Sequence, residues 1–127
     1  MAAPRINSAN RDGALRTKVI QTTVTDISTA GSAFVAAPID GTLGFIQTCI
    51  NGAISGADAV LTAEINGVAV TGSSITIANS GSAAGDVDSA VPTAANDVSI
   101  GDTIEIITNG ASTGTVSAVV NIHIALP

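Results

Sequence analysis

The chain has 127 residues, enough for one domain and an appendage, and only 11% of them are charged, against about 25% in ordinary soluble domains. Its net charge is −6, and its aromatic residues are two phenylalanines, Phe34 and Phe45, with no Trp or Tyr. One cysteine, Cys49, excludes an internal disulfide, one Cys with one His (His123) excludes a zinc site of the usual N/S type, and no window is apolar for long enough to read as a membrane span.

The N-terminal stretch is the basic part. Arg5, Arg11, Arg16 and Lys18 are the whole complement of Lys and Arg; less Asp12, they give residues 1–18 a charge of +3, while nine acids and no base give residues 19–127 a charge of −9. Pro4, Asn7, Ser8, Asn10 and Gly13 interrupt any pattern, so residues 1–18 read as an extended arm and residues 19–127 as the folded domain. The opening MAAPRINSANRDG has no apolar h-region and is not a secretory signal, so the chain is expected to be made as a soluble protein in the cytoplasm. Such an arm has three readings: a solubilising tail, a phosphate-contacting segment, or a segment that adheres to an acidic protein surface and orders on binding. Spaced bases with Ile6 and Leu15 as apolar anchors fit the third best. No aromatic is interleaved for base stacking, and the acidic domain would repel a nucleic acid.

The domain is rich in Ala, Val, Ile, Ser and Thr, the small and β-branched residues that suit pleated sheets. In TKVIQTTVTDI (17–27), Val19, Gln21 and Thr23 alternate with Ile20, Thr22 and Val24, which predicts a strand. A short run, 33–37, follows Gly31-Ser32 and stops at Pro38; Asp40-Gly41 signals a turn. Residues 42–50, TLGFIQTCI, predict a mostly apolar strand in which Cys49 reads as a small buried hydrophobe. In 59–65, AVLTAEI, Leu61, Ala63 and Ile65 share one face. Asn66-Gly67 then predicts a two-residue type I′ hairpin leading to 68–70. A short strand is predicted at 74–78. Residues 79–97 read as one long loop by composition, of a kind that often has a task such as lying over a neighbour. Strand signals return at 98–100 and 102–108, with a turn at Asn109-Gly110. From 115 to 126 the even positions Val116, Ala118, Val120, Ile122, Ile124 and Leu126 are all apolar, which predicts a half-buried strand. About eight strands and no helix predict an all-β antiparallel β-sandwich, jelly-roll-like or immunoglobulin-like.

Chemistry is sparse. His123 lies on the polar face of its strand, with no Gly-x-Ser-x-Gly elbow in the chain, and no P-loop or dinucleotide fingerprint occurs. Asp86 and Asp88 in GDVDS would need help from Asp97 or Asp102 to hold calcium; their ordinary reading is as hydrated loop acids. No enzyme is expected. A surface with so few charges is instead expected to be partly covered by another chain.

The texture from about Phe45 to Ile124, above all the Asn66-Gly67 hairpin and the loop GSAAGDVDSA, resembles head decoration (cement) proteins of tailed bacteriophages. The resemblance covers roughly two thirds of the chain. It implies a non-enzymatic, jelly-roll-like virion structural protein on the outer capsid surface, without cofactor or metal. It implies a homotrimer at three-fold or quasi-three-fold positions, the major capsid protein as partner, and no nucleic acid or membrane. Some such proteins grip capsomers with an extended terminal segment. On charge alone this assigns capsid contact to Arg5, Ile6, Arg11, Leu15, Arg16 and Lys18. The alternative expectation is a tail-fibre or surface module that recognises host glycan. Against it, sugar sites usually use aromatic platforms, and Phe34 and Phe45 are both expected to be buried.

Overall fold

The computed structural model describes residues 17–127; the rest of the predicted arm, with Arg5, Ile6, Arg11, Leu15 and Arg16, lies outside the described residues. Among the described residues, ten strands run in chain order: β1 (Thr17–Val24), β2 (Gly31–Ala36), β3 (Gly41–Ile50), β4 (Ala59–Ile65), β5 (Val68–Ala69), β6 (Ile75–Ile77), β7 (Val87–Ala90), β8 (Asp97–Val98), β9 (Thr103–Thr108) and β10 (Ala118–Ala125). No described helix is long and apolar enough to cross a membrane.

The strands form two antiparallel sheets. The first has the order β1-β10-β3, with β7 and β8 both on the far side of β3; the second has the order β2-β9-β4, with β5 and β6 both on the far side of β4. Each sheet is thus four strands wide, its fourth position split into two short pieces. Counting each split pair as one strand leaves eight, ordered 1-8-3-6 and 2-7-4-5. The chain passes from sheet to sheet at most connections, which is the jelly-roll path. The fold is therefore the all-β sandwich read from the sequence.

The elements form for local reasons. In β10 the even residues Ala118, Val120, Ile122 and Ile124 are buried and the odd ones face out; in β4, Ala59, Leu61, Ala63 and Ile65 do the same. Asn66 (φ 50°) and Gly67 (φ 81°) both hold positive φ, as the I′ hairpin demands, and close Ile65 onto Val68. The core is aliphatic throughout. Its largest fully buried side chains include Ile27, Ile46, Leu61, Ile104, Ile106 and Ile122, and no aromatic ring is among the buried residues.

The register between β10 and β3 breaks once. His123 pairs with Phe45 and Ile124 with Leu43, leaving Gly44 as a bulge. The extra residue switches the inward parity of β3, so that odd-numbered Leu43 and even-numbered Ile46 both reach the core. Gly41 is buried just beyond it. A Cβ there would strike the carbonyl oxygen of Ala125 and lie 2.8 Å from Ile124 Cγ2, so only glycine lets β3 begin this close to β10.

Four expectations change. Residues 79–97 are not one loop: β7 pairs with β3 from Ile46↔Ala90 to Cys49↔Val87, and β8 pairs with its other end. The predicted strand at 98–100 reduces to Asp97–Val98, and Ile100 lies 69% exposed in a turn whose N–H donates to Asp40 Oδ1. Phe34 is 62% exposed, because it sits on an edge strand and points away from the opposite sheet, while Phe45 is only half-buried. Cys49 is half-buried on an outer face, not in the core.

Candidate functional site

No constellation of catalytic groups gathers in the described residues, so the candidate site is a set of surfaces. The first is the edge formed by β1, where the described residues begin. β1 begins at Thr17, which places Lys18 on a strand, paired with Ile124 of β10 and exposed to solvent. Lys18 is the single Lys or Arg of residues 17–127, which carry nine acids and a net charge of −8 (nine acids less one base). Among the described residues β1 pairs on one side only, with β10, and β2 on one side only, with β9. A cleft of about 690 Å³ runs between these two edges, lined by residues 22–26, 29–34 and Thr108. Its walls follow consecutive residues of both strand parities and carry Thr and Ser hydroxyls and one acid, Asp26.

Asp26 is bound into its own loop. Its Oδ1 accepts from the Ser28 N–H (2.9 Å) and from Ser28 Oγ, and its Oδ2 accepts from Thr29 Oγ1 at 3.0 Å. The Ser28 hydroxyl and N–H, aided by Thr29, hold this carboxyl below the usual carboxylate range. Four other acids brace separate turns. Asp58 accepts from the Asn79 N–H, Asp86 from the Ala83 N–H, Asp102 from the Ser99 N–H and Asp40 from the Ile100 N–H. Asp97 accepts from Thr42 Oγ1. No three His, Cys, Asp or Glu gather as metal ligands among the described residues. Asp88 differs: half-buried opposite Thr48, it has its carboxyl pushed up by desolvation and by the nearby Asp86 charge.

The two outer faces of the sandwich contrast. On the first sheet the registers align three rows of outward side chains. These are Val19–His123–Phe45, Gln21–Asn121–Gln47–Ser89 and Thr23–Val119–Cys49–Val87, eleven residues in all (three, four and four) with no carboxylate, Lys or Arg. A fourth row, Thr17–Ala125–Thr42–Asp97, has one carboxylate at its corner. His123 meets Phe45 edge-on, ring centroids 5.1 Å apart at 84°, and Gln21 Nε2 donates to Asn121 Oδ1 at 3.0 Å. His123 thus has apolar cross-strand neighbours, Val19 and Phe45. On the second sheet, one row reads Phe34–Glu105–Glu64–Ala69, placing two carboxylates side by side.

Sequence reasoning did not find the uncharged face. The outward residues of β1, β3, β7 and β10 are far apart in the chain, and only the register brings them together. The period-two pattern of residues 115–126 was the one signal pointing there.

No protein-family model matches the chain, and no curated protein matches it. Among solved structures it is similar to a chain of the cyanophage Pam1 capsid asymmetric unit, at 16% identity and a TM-score of 0.53, covering 87% of this chain and 85% of that one. It is also similar to the catalytic unit of a thermostable alpha-1,3-glucanase from Streptomyces thermodiastaticus strain HF3-3, at 14% identity and a TM-score of 0.51, covering 87% of this chain and 26% of that one. A third likeness is to CsCBM6-3 from Clostridium stercorarium in complex with cellobiose, at 10% identity and a TM-score of 0.49, covering 87% and 82%. The chain spans about a quarter of the glucanase's length. At these identities the likeness is one of fold.

Proposed function

We propose that the protein is a non-enzymatic structural component of a phage virion, a decoration protein that binds the outer surface of the head and stabilises it. The observation that carries this reading is the likeness of fold, over 87% of this chain and 85% of that one, to a chain of a cyanophage capsid asymmetric unit. The charge distribution supports it: residues 1–16, with three arginines and one acid, carry +2 and precede residues 17–127, which hold a single base and nine acids. In this reading Arg5, Ile6, Arg11, Leu15, Arg16 and Lys18 contact the major capsid protein. The domain fills the junction between capsid subunits as a homo-oligomer, a trimer at three-fold positions being the state the family resemblance implies. A ligand that binds the assembled shell and not its separated subunits raises the free energy of disassembly by mass action. Several arms per oligomer multiply the attachment through effective concentration. The test is co-sedimentation of the protein with heads of the phage that encodes it, assembled without this protein. Saturable binding that raises the heads' melting temperature is expected; no binding would overturn the reading.

One observation favours a second reading, a glycan-binding module of a tail fibre or virion surface. Phe34 is 62% exposed beside the hydroxyl-rich cleft, which removes the objection that both phenylalanines are buried. Binding on a glycan array that vanishes in Phe34→Ala would establish this reading in place of the first.

A further inference from the structure

We infer that the outer face of the first sheet, centred on Asn121, is the surface through which copies of this chain associate. The inference deepens the capsid reading by naming the contact face between copies, and rests on that reading only for the place where copies meet.

The argument begins with charge. Residues 17–127 carry −8, so two such domains repel at most approaches, and a like-charge juxtaposition in a contact is costly. Five of the nine acids of this region brace turns, and Glu64 and Glu105 occupy the outer face of the second sheet. The first sheet is the opposite case. Three successive rows across its strands bear no carboxylate, and the one acid of the fourth row, Asp97, is at the rim. A second copy is the partner such a face suits, because it brings the same negative charge and requires a place without any. A cationic partner would find nothing here to pair with and would be drawn to the other face.

The composition of the rows agrees. Val19 (49% exposed) and Val87 (55% exposed) lie at opposite corners, with Phe45, Val119 and Cys49 between them. The middle row, Gln21–Asn121–Gln47–Ser89, is made of side chains that each hold both a donor and an acceptor, so it can satisfy an equally uncharged surface without a fixed sign. Depletion of charged residues marks an interface core, and here the apolar side chains flank a neutral, polar central row.

Size sets the strength. Four strands at about 4.8 Å and four rows at about 6.8 Å give a footprint of roughly 500 Å² a side, below the roughly 800 Å² of a standard stable interface. Association through this face is therefore weak in dilute solution and becomes extensive when a shell holds copies close together. The inference concerns the face, and a dimer or a trimer meets it equally.

The experiment is sedimentation equilibrium of the full chain at concentrations up to about 1 mM. Asn121→Asp and Gln47→Glu place a charge at the centre of the face with almost no change of shape. Gln21→Glu does so on an exposed edge strand, where the fold tolerates it, and Thr62→Glu on the second sheet is the control. Wild type and Thr62→Glu are expected to self-associate, and the three first-sheet variants to do so at least tenfold more weakly with unchanged melting curves. A wild type that stays monomeric throughout, first-sheet variants that associate like wild type, or a control that dissociates as they do would overturn the inference. Its failure is separable from failure of the capsid reading. A monomer that still coats heads contradicts only the self-association, and a self-associating protein that ignores heads contradicts only the capsid role.

Discussion

Glu105 of β9 stands directly opposite Glu64 of β4, both half-buried on the outer face of the second sheet. Directly opposed like charges destabilise a sheet. Replacing Glu105 with Thr, a good strand former, is expected to raise stability by about 0.2–1 kcal/mol. Added salt should raise the melting temperature of the wild type more than that of the variant. A melt in which Glu105→Thr is no more stable than wild type at low salt would show that the pair does not repel.

Asp88 carries an acid-dependent penalty. Its folded pKa is raised above the usual aspartate range, first by desolvation and then by the nearby Asp86 charge. A raised pKa means that the protonated form is favoured in the fold, so the favourable contribution is complete below about pH 3.8 and is lost as pH rises through the folded pKa. Asp88→Asn is therefore expected to melt higher than wild type at pH 7, with the advantage gone at pH 3. Asp26 and Asp102 work in the opposite direction, both lowered by hydrogen bonds from Ser28 and Ser99 respectively. They stabilise above their unfolded pKa and lose that contribution as pH falls through the folded one. Thermal melts of Asp88→Asn and Asp26→Ala across pH 3–7 check both signs; an advantage for Asp88→Asn that grows on acidification would contradict the assignment.

Gly41 is a steric requirement, not a conformational one. A methyl group there would press into the main chain of Ala125. Gly41→Ala is expected to cost about 1–3 kcal/mol, the usual range for overpacking. Gly67→Ala meets no atom within 4 Å but must hold φ near +81°, so it too should destabilise, through backbone strain and not through a clash. A chemical denaturation series separates them: Gly67→Asn, which tolerates positive φ, should cost less than Gly67→Ala, whereas Gly41→Asn, with the larger side chain against the main chain of Ala125, should cost more than Gly41→Ala.

Much of the fold was legible because its central strands obey one simple period. The alternation in β10 and β4 and the Asn66-Gly67 turn each appear in the chain as they appear in space. What was hidden depends on pairing. β7 is four residues long, with Asp88 and Ser89 in its middle, and it is a strand only because β3 offers it an edge. The bulge at Gly44 breaks the period of β3, so residues 42–50 look apolar on both faces when in fact one face is outside. Phe34 was expected inside because five residues, 33–37, are too few to fix parity, and the ladder with β9 places Ala33 and Val35 inward instead. The uncharged outer face was illegible for the same reason, since no stretch of sequence contains it.

The arm is expected to be separable from the fold. β1 begins at Thr17, so deleting residues 2–16 should leave a domain that melts within a few degrees of the full chain. Changing Arg5, Arg11 and Arg16 to Glu should weaken attachment to heads by far more than it changes the melting temperature of the isolated protein. Equal losses in binding and in stability would mean that the leader belongs to the domain and has no separate docking task.

The most direct test is a cryo-electron microscopy map of heads of the phage proposed to encode it, lacking this protein and then incubated with it. The account predicts jelly-roll density on the outer surface, with residues 1–16 running from the start of β1 onto a capsid subunit. Bare heads would contradict it, as would bound density in which those residues touch no neighbouring polypeptide.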